Sequence, residues 1–245
     1  MNLVTSFKSL LFKCYIKVHE RTYGTKLKYL YLPKRSNSLL IVFSGFSPDG
    51  ERRYNYIRSL DKLKISKLFV LDPYAYKGSY HLFENGNDYP QKETQGLIDK
   101  FKSKYKYIFM AGSSKGGTVA LYYGLLNEAD AVFSGACQYN LGTYLSRKEH
   151  IKIFKSMMGE LNQNTINTLE NIVKNVILSK EGTKTRVYLL YSKQEPTYEE
   201  EIIDLVKDLK DHHYNLIEKI ESFDNHGAVG SFFPSFVIEN LKIFE

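Results

Sequence analysis

Apolar residues along this chain gather in short runs rich in β-branched and aromatic side chains. They fall at residues 26–32, 38–43, 67–71, 107–111, 131–134, 186–191 and 215–222. Runs of this length and composition predict strands. Between most of them the apolar positions recur with helical spacing, at 53–63, 91–104, 115–127, 198–211 and 229–242. Strands alternating with helices imply βαβ units, so the expected class is α/β: a doubly wound, mostly parallel sheet with helices on both faces. The rhythm breaks between the strand ending near 135 and the one starting near 186, where residues 149–182 look like two or three extra helices within a cap insertion of about 141–184. No internal repeat, low-complexity tract or Pro/Gly-rich linker interrupts the 245 residues, so one domain over 1–245 is expected.

Composition narrows the class. With 43% hydrophobic and 25% charged residues the chain reads as soluble and globular. No apolar run approaches the ~18 residues of a membrane span. The start, "MNLVTSFKSLLFKCYIKV", is broken by Lys8, Lys13 and Lys17 and lacks a small-residue cleavage site, so no secretory leader is expected. Cys14 and Cys137 are the two cysteines and stand in no metal or redox spacing; they read as free thiols, and the expected location is cytoplasmic. Residues 1–35 hold eight Lys or Arg against Glu20 alone, so the net charge of +7 sits in that segment and the remainder balances. Such an edge suits an anionic membrane surface, an acidic glycan or a protein partner, or is simply solvated. Nucleic acid is not an expected partner, because the charge stops at residue 35 and no nucleic-acid motif follows.

The chemistry concentrates in "YKYIFMAGSSKGGTVALYYGL", residues 105–125. A Walker-type phosphate loop needs Gly-Lys-Ser/Thr after a four-residue spacer, but here the lysine precedes the glycine pair. The dinucleotide fingerprint is absent at this turn, and Lys115 directly follows Ser114, which excludes a Ser-x-x-Lys arrangement. Gly112-Ser113-Ser114-Lys115-Gly116 does match Gly-x-Ser-x-Gly, the strand-to-helix elbow that lifts its middle serine clear of a sheet. Ser113 is then the wrong residue to be the nucleophile, and Lys115 reads as an exposed side chain whose useful group is its amide.

A nucleophilic serine needs a base, and the base an orienting carboxylate. Of six histidines (19, 81, 150, 212, 213 and 226), His226 stands after the last predicted strand and before the closing helix, with Gly227 giving room to turn. His81 is a candidate pocket residue. For the acid, Glu195 follows the strand "RVYLLY" at a turn closed by Pro196, and Asp224, two residues before His226, is the rival. Ser114, Glu195, His226 is a serine, acid, histidine order.

These motifs resemble the serine hydrolases of the α/β-hydrolase superfamily. The resemblance runs over roughly residues 25–245, on "GSSKGG", "YSKQEP" and "DNHG" in order and on "FSGFS" after an early strand. It implies the α/β-hydrolase fold and an oxyanion hole formed by the Lys115 and Phe46 amides, with Gly45 allowing the turn. Ser44-Gly45 stands where many relatives carry His-Gly, and Glu195 where Asp is commoner; neither change removes a required atom. The early strand, elbow and tyrosine-bearing loops are also similar to bacterial hydrolase-like proteins of surface-polysaccharide or glycoprotein assembly, some of which handle O-acetyl groups.

Pocket walls are expected from "FSGFSPDGERRYNY", "DPYAYKGSYHLFENGNDYP", "CQYNLGTYL" with Tyr139, and the cap. Tyrosines among hydrogen-bonding neighbours suit a sugar better than a long acyl chain. The expected activity is that of a serine esterase acting on a small acyl group of a carbohydrate-like ester, with no metal or organic cofactor. An acyltransferase using the same triad is one alternative. The other is a non-catalytic hydrolase-like module in a surface-glycan or secretion assembly, docking through residues 1–35.

Overall fold

The computed structural model describes residues 12, 14–46 and 51–244. Lys8 and Lys13 of the basic segment, and Ser47 to Gly50 of the expected pocket wall, lie outside the described residues. Eight strands form one sheet: β1 (Arg21–Tyr23), β2 (Leu27–Leu32), β3 (Ser38–Phe43), β4 (Ser66–Leu71), β5 (Tyr107–Ser113), β6 (Ala131–Gly135), β7 (Arg186–Ser192) and β8 (Asn215–Glu221). The spatial order is β1-β2-β4-β3-β5-β6-β7-β8. Pairing is antiparallel from β1 through β2 to β4 and parallel across the rest.

Strand side chains alternate between faces, and each face meets its own apolar layer. Leu39, Ile41 and Phe43 of β3 join one layer, while Leu40 and Val42 join the other. The first layer is covered by α1 (Tyr89–Lys102), α2 (Lys115–Leu126) and α7 (Ile203–Asp211). The cap lies there too, as α3 (Leu141–Ser146), α4 (Ile151–Met158), α5 (Gln163–Glu170) and α6 (Ile172–Ser179). The second layer is closed by α8 (Val229–Leu241), which supplies Phe233, Phe236 and Val237, and by Ile57, Leu60 and Leu63. Every residue of β4 and β6 is buried, as a strand sandwiched between two layers requires.

Three local differences from the sequence reading have physical causes. The helix expected at 53–63 is a run of turns, because Tyr56 takes φ +66° and cannot continue a right-handed helix. The short edge strand β1 carries too little apolar pattern to be seen: three residues, Arg-Thr-Tyr, none fully buried. The segment expected as one helix at 198–211 opens with a π-helical turn, Tyr198–Ile202, before α7. Of the basic edge, Lys26 is paired with Glu84 at 2.7 Å and Lys28 approaches Glu20 at 4.0 Å, so part of that charge is met within the fold. Among the described residues, no helix is long and apolar enough to cross a membrane.

Candidate active site

Five adjacent parallel strands, β3, β5, β6, β7 and β8, deliver their carboxyl ends to one rim of the sheet. The loops that leave them carry Gly45–Phe46, Ser114, Gln138, Glu195 and His226. Residues up to 181 positions apart in sequence therefore meet there, which is where open α/β sheets place ligands.

Ser114 is the single residue between β5 and α2, and it holds φ +53°, ψ −129°. A residue with a Cβ adopts such a conformation only under constraint from its surroundings, at a cost of about 1–3 kcal/mol. The constraint is visible on both sides. A Cβ at Gly112 would stand 2.1 Å from the Gly116 carbonyl oxygen, and one at Gly116 would stand 2.4 Å from that of Phe43. Strand and helix approach each other more closely than any side chain permits. The Ser114 N–H donates to Gly135 O at 2.7 Å, tying the elbow to β6.

Ser114 Oγ lies 2.7 Å from His226 Nε2, and His226 Nδ1 lies 3.1 Å from Glu195 Oε2. With the carboxylate on Nδ1, that nitrogen carries the proton and donates it to Glu195, which leaves Nε2 to accept from the serine hydroxyl. The Glu195 side chain is fully buried, and Thr197 Oγ1 donates to its other oxygen at 2.9 Å, so both carboxylate oxygens have partners. The rival Asp224 is exposed, and among the described residues its side chain bonds its neighbour Asn225 alone, at 3.4 Å. Ser113 Oγ is held by the Tyr56 hydroxyl at 2.5 Å.

The Phe46 and Lys115 N–H groups donate to no acceptor among the described residues. Gly45 is fixed through its N–H to Asn55 Oδ1 at 2.9 Å. Its φ is not left-handed, and among the described residues an added Cβ would meet nothing nearer than 3.4 Å, so the backbone at this position does not itself require glycine.

Lys115 departs from its expected place. It is 1% exposed, and its Nζ pairs with Asp72 Oδ2 at 2.8 Å while standing 5.2 Å from the centre of the Phe46 ring. The helix N-terminus points the side chain inward beneath the loop it follows, which is why it cannot reach water. Burial on its own would raise the Asp72 carboxyl, but Lys115, His81 and the Ser79 N–H outweigh it and hold Asp72 well below the usual carboxylate range. Burial draws Lys115 below its ordinary value, against the pull of Asp72. Asp72 also accepts from the N–H groups of Tyr74 at 3.2 Å and Ser79 at 2.6 Å, so one ion pair anchors the elbow, the Phe46 loop and the 72–81 loop together.

His81 and Tyr139 do not line the cleft. His81 is fully buried, its Nδ1 on Thr94 Oγ1 at 3.1 Å, and burial pushes its imidazole down to about 4. Tyr139 is also fully buried, with its hydroxyl on Asp208 at 2.5 Å. Both follow strand ends, but their side chains turn into the helix layer and not toward the rim. Asp72, Thr197 and Gln138, whose Nε2 comes within 3.5 Å of Ser114 Oγ, were missed by sequence reasoning. An aspartate directly after a buried strand was the one legible signal among them.

A cleft of about 740 Å³ opens over Ser114 and His226. Its walls come from Gly45, Phe46, Asn55 and Tyr56 on one side, Tyr76 and Lys77 on the second, and Tyr144 with residues 148–153 of the cap on the third. Among the described residues, no cluster of His, Cys, Asp and Glu is arranged to hold a metal ion.

No known protein-family model matches the chain, and no curated protein matches it. Solved structures do. The capsule O-acetyltransferase of Neisseria meningitidis serogroup A superposes with a TM-score of 0.78 at 18% identity, over 91% of this chain and 94% of that one. A variant of that enzyme in complex with CoA gives 0.75 at 17% identity, over 91% and 94%. FphF, a fluorophosphonate-binding serine hydrolase of Staphylococcus aureus, gives 0.63 at 13% identity, over 89% and 95%. The chain has the α/β-hydrolase fold. The glycosylation-associated Gap123 complex of Streptococcus agalactiae also contains this α/β-hydrolase architecture, at a TM-score of 0.75 and 20% identity, over 91% of this chain and 46% of that one.

Proposed function

We propose that this protein is a serine-dependent acyl-handling enzyme acting on a carbohydrate-like ester. The observation that carries the reading is the continuous relay from Ser114 Oγ through the His226 ring to the buried Glu195 carboxylate, at 2.7 and 3.1 Å. In this reading the Ser114 O–H proton passes to His226 Nε2 as Oγ attacks the ester carbonyl. The Phe46 and Lys115 N–H groups, otherwise without acceptors among the described residues, receive the oxyanion. His226 returns the proton to the leaving alcohol, Glu195 stabilises the transient imidazolium, and an acyl-enzyme remains on Ser114. Water entering by the same route releases the carboxylic acid and restores the serine. No step requires a metal or organic cofactor.

A second reading, transfer of the acyl group to a sugar hydroxyl, is favoured by the mouth of the cleft. Lys77, Lys148 and Lys152 line the cleft, against one carboxylate, Glu149, and form no ion pair among the described residues. Unpaired cations there suit an anionic acyl donor such as an acyl-CoA thioester, and the neighbouring capsule O-acetyltransferase is known in complex with CoA.

The test is fluorophosphonate labelling read by intact mass on wild type, Ser114→Ala, His226→Ala, Glu195→Ala and Asp224→Ala. One adduct that requires Ser114 and His226, weakens without Glu195 and survives loss of Asp224 supports the relay. No adduct on folded wild-type protein rejects it in favour of a non-catalytic module. Free CoA released from acetyl-CoA faster with an acceptor sugar than without one then separates transfer from hydrolysis.

A further inference from the structure

We propose that a groove between the cap and helices α1 and α2 is a second binding site, for an uncharged oligosaccharide. The groove, about 750 Å³, shares no lining residue with the cleft over Ser114. Tyr122, on its inner wall, stands eight residues beyond Ser114 along α2, roughly 12 Å down the helix axis.

Its outer wall is a row of carboxamides. Asn164 and Asn167 of α5, Asn171 at the junction of the two helices and Asn175 of α6 follow one another at spacings of three, four and four residues, and all four line the groove. All four are exposed. Across from them, the Gln91 side-chain amide donates to the Tyr122 hydroxyl, and among the described residues the Gln91 side-chain oxygen and the Tyr122 proton have no other partner.

Little of the row's hydrogen-bonding capacity is used by the protein. The Asn164 and Asn175 side chains bond no described residue. Asn167 Oδ1 accepts from Gln163 at 2.9 Å, but its N–H groups remain open, and Asn171 donates to the Asn167 carbonyl at 2.8 Å, leaving Oδ1 open. Ile172 and Val176 lie between these amides as an apolar floor.

The ten lining residues include no charged side chain, in a chain that is 25% charged. Neutral donors and acceptors over a small apolar patch match a pyranose, whose rim carries hydroxyls and whose faces carry C–H groups. An anionic ligand would find no cation, and an acyl chain would lose its contacts to the amides. The site does not depend on the role of Ser114.

The experiment is isothermal titration of the full chain with chitohexaose, laminarihexaose and maltohexaose, and with hexagalacturonate as the anionic counterpart. It is repeated on Asn167→Ala/Asn175→Ala and on Ser114→Ala. At least one neutral hexasaccharide is expected to bind with a Kd of about 1 mM or tighter. The double variant should weaken it at least tenfold with unchanged Tm and unchanged fluorophosphonate labelling, and Ser114→Ala should leave it intact. The proposal is overturned if no neutral probe binds, if hexagalacturonate binds more tightly, or if the double variant binds as wild type does. None of those outcomes bears on the relay, which the labelling reads separately.

Discussion

The buried pair between Lys115 and Asp72 offers the sharpest test of how the site is held. Both side chains are essentially without solvent, at 2% and 0% exposure, and their charged atoms lie 2.8 Å apart. Removing one partner leaves a charge stranded in the interior, which costs about 3–5 kcal/mol. For a domain of this size that lowers Tm by roughly 10 °C. Lys115→Met and Asp72→Asn are close in volume to the residues they replace, so each cost is electrostatic and not a cavity. Removing both leaves no stranded charge, so the double variant should be more stable than the two single losses predict, by at least about 2 kcal/mol of coupling. The assay is urea denaturation of all four proteins. Lys115→Met also removes the ammonium beneath the Phe46 ring, so the fluorophosphonate labelling rate should fall about tenfold or more as the Phe46 amide loses its support. Additivity within about 0.5 kcal/mol, or a Lys115→Met protein as stable as wild type, would refute the idea that this pair anchors the three loops.

Gly112→Ala and Gly116→Ala should each cost at least about 3 kcal/mol or prevent folding, since the added Cβ meets backbone oxygens at 2.1 and 2.4 Å; Gly45→Ala should stay within about 1 kcal/mol by the same denaturation measurement. Thiol titration of the native protein should count one reactive cysteine, the exposed Cys14, and two in denaturant. Cys137 is buried, and burial pushes its thiol up to about 12. His81 should make stability fall with acid. The unfolded imidazole takes a proton near 6.5 while the folded one resists to about 4, so unfolding takes up a proton in that window. The contribution is whole above about pH 6.5 and is lost toward pH 4, by up to about 3 kcal/mol. Comparing the pH slope of wild type with that of His81→Gln isolates this term from Glu201, whose burial-raised carboxyl, at about 7, titrates in the opposite sense.

Much of this protein was legible in one dimension. Short apolar runs and period-3.6 apolar patterns depend on neighbours within a few residues, so seven strands and most helices could be placed before any contact was known. Gly112-Ser113-Ser114-Lys115-Gly116 was legible for the same reason: the glycines two residues to either side of Ser114 are the small residues a tight strand-to-helix turn needs, and they stand within a few residues of it. The order Ser114, Glu195, His226 followed from where strands end. What the chain could not disclose is direction. Lys115 looked like a surface lysine until α2 turned it onto Asp72, 43 residues away; His81 and Tyr139 sit in loops that follow strands, as expected, yet point into the helix layer. The choice of Glu195 over Asp224 depended on which carboxylate faced the imidazole, and the cleft and the asparagine groove exist only once the cap packs on α2. Local pattern determines which residues can form a strand, a helix or an elbow, because those depend on short-range sterics. Which side chains meet across the sheet rim is decided by long-range packing, and only the tertiary structure carries that information.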